Sequence, residues 1–216
     1  MPAAEGLAGP PRDCPRCPRL VGFRRSNAGE YPSFYNGAVP AFGSSDAWLL
    51  IVGLAPGLKG ANRTGRPFTG DYARELLYPA LIDCGLAHGP YQAAPDDGLK
   101  LRGCRVTNAV RCVPPENKPT PAEQKTCRDF LAAEIASLPR LKAILALGRI
   151  AHDAVLATLG VRKAAVPFVH GAVRAVTERL TLADSYHCSR YNVNTGVLTA
   201  DMFRKVLIDV RALRDA

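Results

Sequence analysis

Three stretches of this chain gather glycines and polar side chains in ways that suit chemistry on a bound anion or base. The first runs through Gly53-Leu-Ala-Pro-Gly57 and on to Gly60-Ala-Asn-Arg-Thr-Gly-Arg-Pro-Phe-Thr-Gly-Asp71. Its glycines present backbone N–H groups, Phe68 an aromatic face, and Asp71 a carboxylate at a helix start, where it also reads as an N-cap. Neither common phosphate-loop glycine pattern is present, so a nucleoside triphosphate site is not expected. The second stretch is Thr107-Asn-Ala-Val-Arg-Cys-Val-Pro-Pro-Glu-Asn-Lys-Pro-Thr-Pro121. Asn108 ends a buried strand, where its amide either braces a loop or offers a donor and an acceptor to a base edge. Asn117 lies in a proline-stiffened loop and also reads as a plain turn residue. The third is Ser185-Tyr-His-Cys-Ser-Arg-Tyr-Asn-Val-Asn-Thr-Gly196. His187, Ser189, Arg190, Tyr191 and Asn192 carry no acidic neighbour there, which suits a loop pressed against phosphates and bases.

Seven cysteines are many for such a chain. Cys14 and Cys17 form a C-P-R-C pair, and Cys112 and Cys127 flank a proline-rich loop. Four thiolates suit zinc or an iron–sulfur cluster equally well, and spacing alone does not choose. Cys84 and Cys104 sit in apolar surroundings and read as core.

These segments need a scaffold, and the apolar pattern describes one. Residues 48–53 are a short, wholly apolar run with the character of a strand covered on both faces, and residues 104–110 and 142–147 read as a second and a third strand. Residues 174–176 and 180–183 are weaker strand material. Helices are expected over about 71–84, where Ala73, Leu76, Leu77, Ala80 and Leu81 recur at helical spacing, and over 121–138, 149–159 and 199–213. Residues 1–45 read as a loop-dominated arm anchored by Cys14 and Cys17, within a single domain spanning 1–216. Alternating strands and helices predict a parallel sheet with helices on both faces. In such sheets ligands bind beyond the carboxyl ends of the strands, so residues 54–71, 108–117 and 185–196 should converge on one cleft.

Composition narrows the partner. Lys plus Arg number 28 against 19 Asp plus Glu, a formal charge of +9, which points to a polyanion and first to nucleic acid. No run has the roughly 20 apolar residues of a membrane span, and no secretory signal is evident. A soluble, cytoplasmic protein with no membrane partner is expected.

Taken together, the three stretches resemble the iron–sulfur uracil-DNA glycosylases, and among them the fifth family (type b). The match lies in residues 53–57, 60–71 and 107–121 and in His-x-Ser-Arg-x-Asn at 187–192. The resemblance implies a three-layer α/β/α sandwich around a four-stranded parallel sheet. It implies a 4Fe-4S cluster of structural role on Cys14, Cys17, Cys112 and Cys127. It further implies a monofunctional enzyme that hydrolyses the N-glycosidic bond of uracil in DNA, with hypoxanthine and xanthine as further candidate bases. In that scheme Phe68 stacks on the flipped base, Asn108 reads its edge, and His187 donates to O2. Gly53, Leu54, Ala55 and Gly57 line the base pocket. Asp71 orients water or stabilises the sugar cation, with Asn117 a weaker helper. Arg63, Arg66, Ser189, Arg190 and Asn192 contact DNA, and Tyr191 is a candidate wedge.

The chain departs from many glycosylases at two points. Leu54 and Ala55 stand where others carry a polar water-holding residue, which is typical of the fifth family. Cys188 stands where many have proline, placing a thiol near the DNA. A monomer suffices for this chemistry, and a replication clamp as partner is left open. Two rival readings are a non-catalytic reader of uracil or damaged bases and a zinc-bound structural DNA-binding protein.

Overall fold

The computed structural model describes residues 9–70 and 74–214. In chain order the first elements are helix α1 (Pro18–Glu30), strands β1 (Phe42–Gly43) and β2 (Leu49–Gly53), and helices α2 (Ala61–Thr64) and α3 (Arg74–Asp83). Strands β3 (Ala87–His88), β4 (Lys100–Leu101) and β5 (Cys104–Asn108) follow, then helix α4 (Pro121–Ala136). Strand β6 (Ala143–Leu147), helix α5 (Arg149–Leu159), strands β7 (Val173–Ala175) and β8 (Thr181–Ser185), and helices α6 (Arg190–Asn194) and α7 (Ala200–Ala212) complete it.

The apolar runs become the central strands because both of their faces are covered. Every residue of β2, β5 and β6 is buried. Along β2 the side chains alternate between two layers. Leu49 and Ile51 pack with Leu77 and Leu81 of α3 and Phe203 and Leu207 of α7. Leu50 and Val52 pack with Leu131 of α4 and Val155 and Leu156 of α5. Burying one such side chain is worth roughly 1.5–3 kcal/mol, which favours the three-layer sandwich over any arrangement that bares a face.

The sheet order is β1-β5-β2-β6-β8-β7. Its interior, β5-β2-β6-β8, is the expected set of four parallel strands. Two short antiparallel strands extend it, β1 on β5 and β7 on β8. Strands β3 and β4 form a separate antiparallel pair. The register pairs Gly53 with Asn108 and Leu147 with Ser185, so the carboxyl ends of the central strands finish in one row. Loops leaving that row can meet.

The loop-dominated reading of residues 1–45 is corrected by α1, a 13-residue helix. Its buried positions are Leu20, Arg24 and Asn27, at helical spacing but mostly polar, so no apolar periodicity marks it. Arg24 takes the place of an apolar anchor by donating to the carbonyls of Arg12 and Cys14. Helix α4 starts where the sequence indicates. Thr120 caps it in a reciprocal capping box with Glu123, and Pro121 occupies its first turn.

Candidate active site

The three stretches do converge. A cleft of about 390 Å³ opens beyond the carboxyl ends of the strands. Leu54, Ala55, Pro56, Gly57, Ala61 and Phe68 line it from the first stretch, Asn108 and Asn117 from the second, and His187, Ser189 and Arg190 from the third.

Gly53, the last residue of β2, lies directly against two of the lining side chains. A Cβ there would fall inside van der Waals contact of the Phe68 ring and 2.6 Å from Asn108 Oδ1, so only glycine lets ring and amide meet over the strand end. Phe68 holds a left-handed backbone (φ 52°), a conformation that costs on the order of 1–3 kcal/mol and persists only where surroundings enforce it. The enforcement comes from its neighbours. Arg66 spans both carboxylate oxygens of Asp97 at 2.8 Å and donates to Thr69 Oγ1 at 2.8 Å, while Tyr78 Oη donates to the Pro67 carbonyl. The Arg66 guanidinium holds the Asp97 carboxyl well below the usual carboxylate range.

Arg66 therefore does not reach DNA as the sequence suggested. Its side chain is 4% exposed and committed to Asp97, because an interior cation needs a partner. Arg63, by contrast, is exposed. Asp71 lies outside the described residues.

Asn108 Oδ1 is buried and has no hydrogen-bond partner among the described residues. An orphaned buried acceptor costs roughly 1–3 kcal/mol, so one on a residue that lines a cleft points to a donor on the ligand.

His187 faces Phe68, with ring centroids 6.2 Å apart and planes at 37°. The loop that carries it is braced from within. Asn192 Nδ2 donates to the His187 carbonyl at 2.8 Å, and Ser189 Oγ accepts from Asn192 N as the cap of α6. Ser189 and Asn192 thus shape the loop, whatever they also contact. Gly148, with φ 96°, lets α5 begin beside this loop: a Cβ there would sit 3.2 Å from His187 Cβ. Tyr191 is 73% exposed at the loop's outer side. Cys188 corrects the expectation of a thiol near DNA: it is fully buried among core residues, because the backbone turns it inward between two outward neighbours. Asn117 is exposed at the cleft rim, and with Glu116 it makes two successive left-handed residues.

Burial lowers the His187 pKa below its ordinary 6.5, and burial does the same for His170. His187 is therefore a neutral imidazole at neutral pH. The unfolded chain takes up protons near 6.5 while these two folded sites do not. Their contribution to stability is thus full above that pH and is lost as the pH falls through the depressed folded values. Urea denaturation followed from neutral into acid is expected to show this decline, reduced in the His170→Phe variant.

A second constellation behind His187 escapes sequence reading. His152 Nδ1 lies 2.7 Å from Asp184 Oδ1, and His152 Nε2 lies 2.9 Å from the Val166 carbonyl, with both side chains almost fully buried. The carbonyl only accepts, so Nε2 carries a proton, and one further proton is held between Nδ1 and Oδ1. Burial raises the Asp184 pKa while the His152 contact opposes it. This pair pins residues 166–170 against β8. There His170 stacks on Tyr186 at 4.7 Å and accepts from its backbone N–H. Removing one member leaves a buried polar group alone. Asp184→Ala is therefore expected to cost about 3–5 kcal/mol in urea denaturation. No spacing rule links positions 152 and 184, which meet only because α5 packs on the face of the sheet that β8 shares.

The four candidate ligand cysteines also meet. Cys14 precedes α1, Cys17 caps its start, Cys112 follows β5 and Cys127 lies on α4, and all four line one narrow void with Leu20 and Phe130. All are free thiols. Burial pushes the Cys112 thiol up to about 12, and the other three thiols add to that. Arg111 N donates to Cys127 Sγ at 3.4 Å, and the charge of Arg24 favours the Cys17 and Cys112 thiolates. Among the described residues no group of three or more His, Cys, Asp or Glu is closed tightly enough to hold a metal ion.

A family model described as the Uracil DNA glycosylase superfamily matches residues 40–211, a span that contains every wall of the cleft. The chain belongs to that superfamily. The type-5 uracil-DNA glycosylase of Thermus thermophilus is 46% identical over 93% of this chain and 93% of its own length. That of Pyrobaculum aerophilum is 42% identical over 94% of this chain and 89% of its own. A type-4 uracil-DNA glycosylase of Pyrobaculum aerophilum is 30% identical over 82% and 78%. Within the superfamily the chain groups with the type-5 members. Among the described residues no helix is long and apolar enough to cross a membrane.

Proposed function

We propose that this chain hydrolyses the N-glycosidic bond of uracil in DNA, releasing free uracil and leaving an abasic site to be repaired. The observation that carries the reading is the unpartnered Asn108 Oδ1 in a cleft walled by Phe68 and His187. A base inside a duplex must be extruded to reach such a cleft, and about 390 Å³ is room for a pyrimidine with part of its sugar. Once there, Phe68 stacks on the ring and Asn108 Oδ1 accepts the N3–H that uracil has and cytosine lacks.

The C1′–N1 bond then breaks with its electron pair moving to the base, whose charge spreads onto O2. Neutral His187 donates an N–H to O2, stabilising the leaving anion without giving up its proton. Water adds to C1′ and loses a proton to solvent, and the departing uracil anion takes up a proton at N1, so that free uracil leaves. Asp71 is the carboxylate proposed to orient that water or stabilise the sugar cation, with Asn117 at the rim as helper. Arg63, Arg190 and Tyr191 are proposed to hold the DNA. Each phosphate neutralised steepens the salt dependence of binding by about 0.9 in the log–log slope. The apolar Leu54 and Ala55 give the pocket no polar group that rejects other deaminated bases, which supports hypoxanthine and xanthine as further substrates.

Cys14, Cys17, Cys112 and Cys127 are the residues that would hold a 4Fe-4S cluster, which supplies a structural cross-link between α1, the exit of β5 and α4. The all-cysteine donor set supports this reading, as does the charge of Arg24 and Arg111 beside thiols that must ionise. The Cys112→Ser variant is expected to lose brown colour, iron and inorganic sulfide together, and to melt at a lower temperature. Zinc in stoichiometric amount in the wild-type protein would overturn the cluster.

The function is tested with end-labelled duplex carrying one uracil opposite guanine, treated with hot alkali after incubation. Strand cleavage at the uracil that requires the alkali is the expected result. Cleavage without alkali would contradict a monofunctional enzyme. Tight binding with no cleavage would make the protein a reader.

A further inference from the structure

The opposite pole of the sheet holds a second, unassigned feature. Three cavities of about 660, 530 and 550 Å³ adjoin there, each sharing wall residues with the next. Their floor is built from the residues that enter the strands, Trp48, Gly103, Lys142 and Leu180. The cleft of the proposed chemistry lies at the strands' other ends, roughly 16 Å away across five-residue strands.

The two ends of this groove differ in chemistry. The first cavity is apolar, walled by Ile135, Leu138, Leu141 and Leu180. The other two are ringed by Arg102, Arg140, Lys142, Arg179, Arg211 and Arg214. Among the described residues the lining acids are few: Asp46, which pairs with Arg140 at 3.0 Å, and Glu178 at the apolar end. Several of the cations are anchored by uncharged acceptors. Lys142 donates to the Arg214 carbonyl, Arg211 to the Cys84 carbonyl and Arg102 to His88 Nδ1, so these bonds fix the side chains without cancelling their charge.

We infer that this groove binds an extended peptide with acidic residues at one end and bulky apolar residues at the other, supplied by a partner protein. A nucleic-acid backbone would satisfy the cations but brings nothing to fill the apolar cavity, and an uncharged peptide would bring no charge to match Arg102, Lys142, Arg179 and Arg211, for which no carboxylate lies among the described lining residues within pairing distance. A segment carrying both matches both halves. Because the groove and the cleft face opposite ways, the partner binds while DNA occupies the cleft, and the interaction does not rest on the glycosylase reading.

The test is fluorescence anisotropy of the full chain with a labelled synthetic peptide in which a run of aspartates precedes leucine and phenylalanine. Saturable binding that weakens with salt is expected. The charge reversal Arg140→Glu with Arg179→Glu, at two exposed sites, is expected to weaken it about tenfold, roughly 1.4 kcal/mol, with the circular dichroism spectrum and duplex affinity unchanged. Adding duplex DNA is expected to leave the peptide bound. Absence of binding, equal binding of an aspartate peptide lacking the apolar residues, indifference to the double reversal, or displacement by duplex DNA would each overturn the proposal.

Discussion

His187→Ala is expected to slow base release about 100- to 1,000-fold, the loss typical of removing one preorganised donor from a developing anion. Duplex affinity is expected to stay within a few-fold, because the charge the donor stabilises exists only in the transition state. The structure supplies the reason for a neutral donor. Burial lowers the His187 pKa, and the carbonyl of the same residue is tied to Asn192, so the ring is held and uncharged before substrate arrives. Two results follow together under single-turnover conditions. The chemical step falls in the variant, and in the wild type it shows no ionisation near pH 6.5 and is lost only in more acid solution. A variant that keeps its rate while binding more weakly would make His187 a DNA contact instead.

Gly53→Ala is expected to produce the second large loss, although its methyl group touches no substrate. The added carbon meets the Phe68 ring on one side and Asn108 Oδ1 on the other. Neither can step back cheaply. Phe68 sits on a left-handed backbone locked by Arg66, Asp97 and Tyr78, and Asn108 ends a fully buried strand. Displacing a base-stacking ring or a base-reading amide by about an ångström costs on the order of 100-fold in rate. Overpacking of this kind also destabilises by about 1–3 kcal/mol. Rate and urea midpoint measured on the same preparation separate the two effects. The loss of rate should persist under conditions where the variant is fully folded.

Sequence reading succeeded here where one physical cause dominated. Residues 48–53 and 143–147 are legible because they are apolar throughout, which marks strands covered on both faces. Once parallel strands are granted, their loops have to meet at one end, which is how Phe68, Asn108 and His187 came together. It failed where tertiary partners replaced pattern. The buried side of α1 uses Arg24 and Asn27, satisfied by carbonyls and packing that no periodicity reveals. Arg66 looks like a phosphate ligand until Asp97, 31 residues away, claims its guanidinium. Cys188 and Ser189 differ only in which way one turn faces. The His152–Asp184 pair and the edge strand β1 depend on contacts between segments far apart in the chain, whereas β7, which pairs with the β8 that follows it, was legible as weak strand material at 174–176.

Base recognition turns on Asn108 Oδ1 receiving the N3–H of an extruded uracil. The most direct measurement is single-turnover base release from two duplexes that differ by one methyl group, one carrying uracil and the other N3-methyluracil. The methyl group weakens pairing and so eases extrusion, but it removes the N3–H and would press against the amide. Rapid release of uracil with release of N3-methyluracil slower by at least about tenfold is the predicted result, a difference of about 1.4 kcal/mol for one lost hydrogen bond to a buried acceptor. Equal rates for the two bases, or no uracil release from protein that binds the duplex, would contradict it.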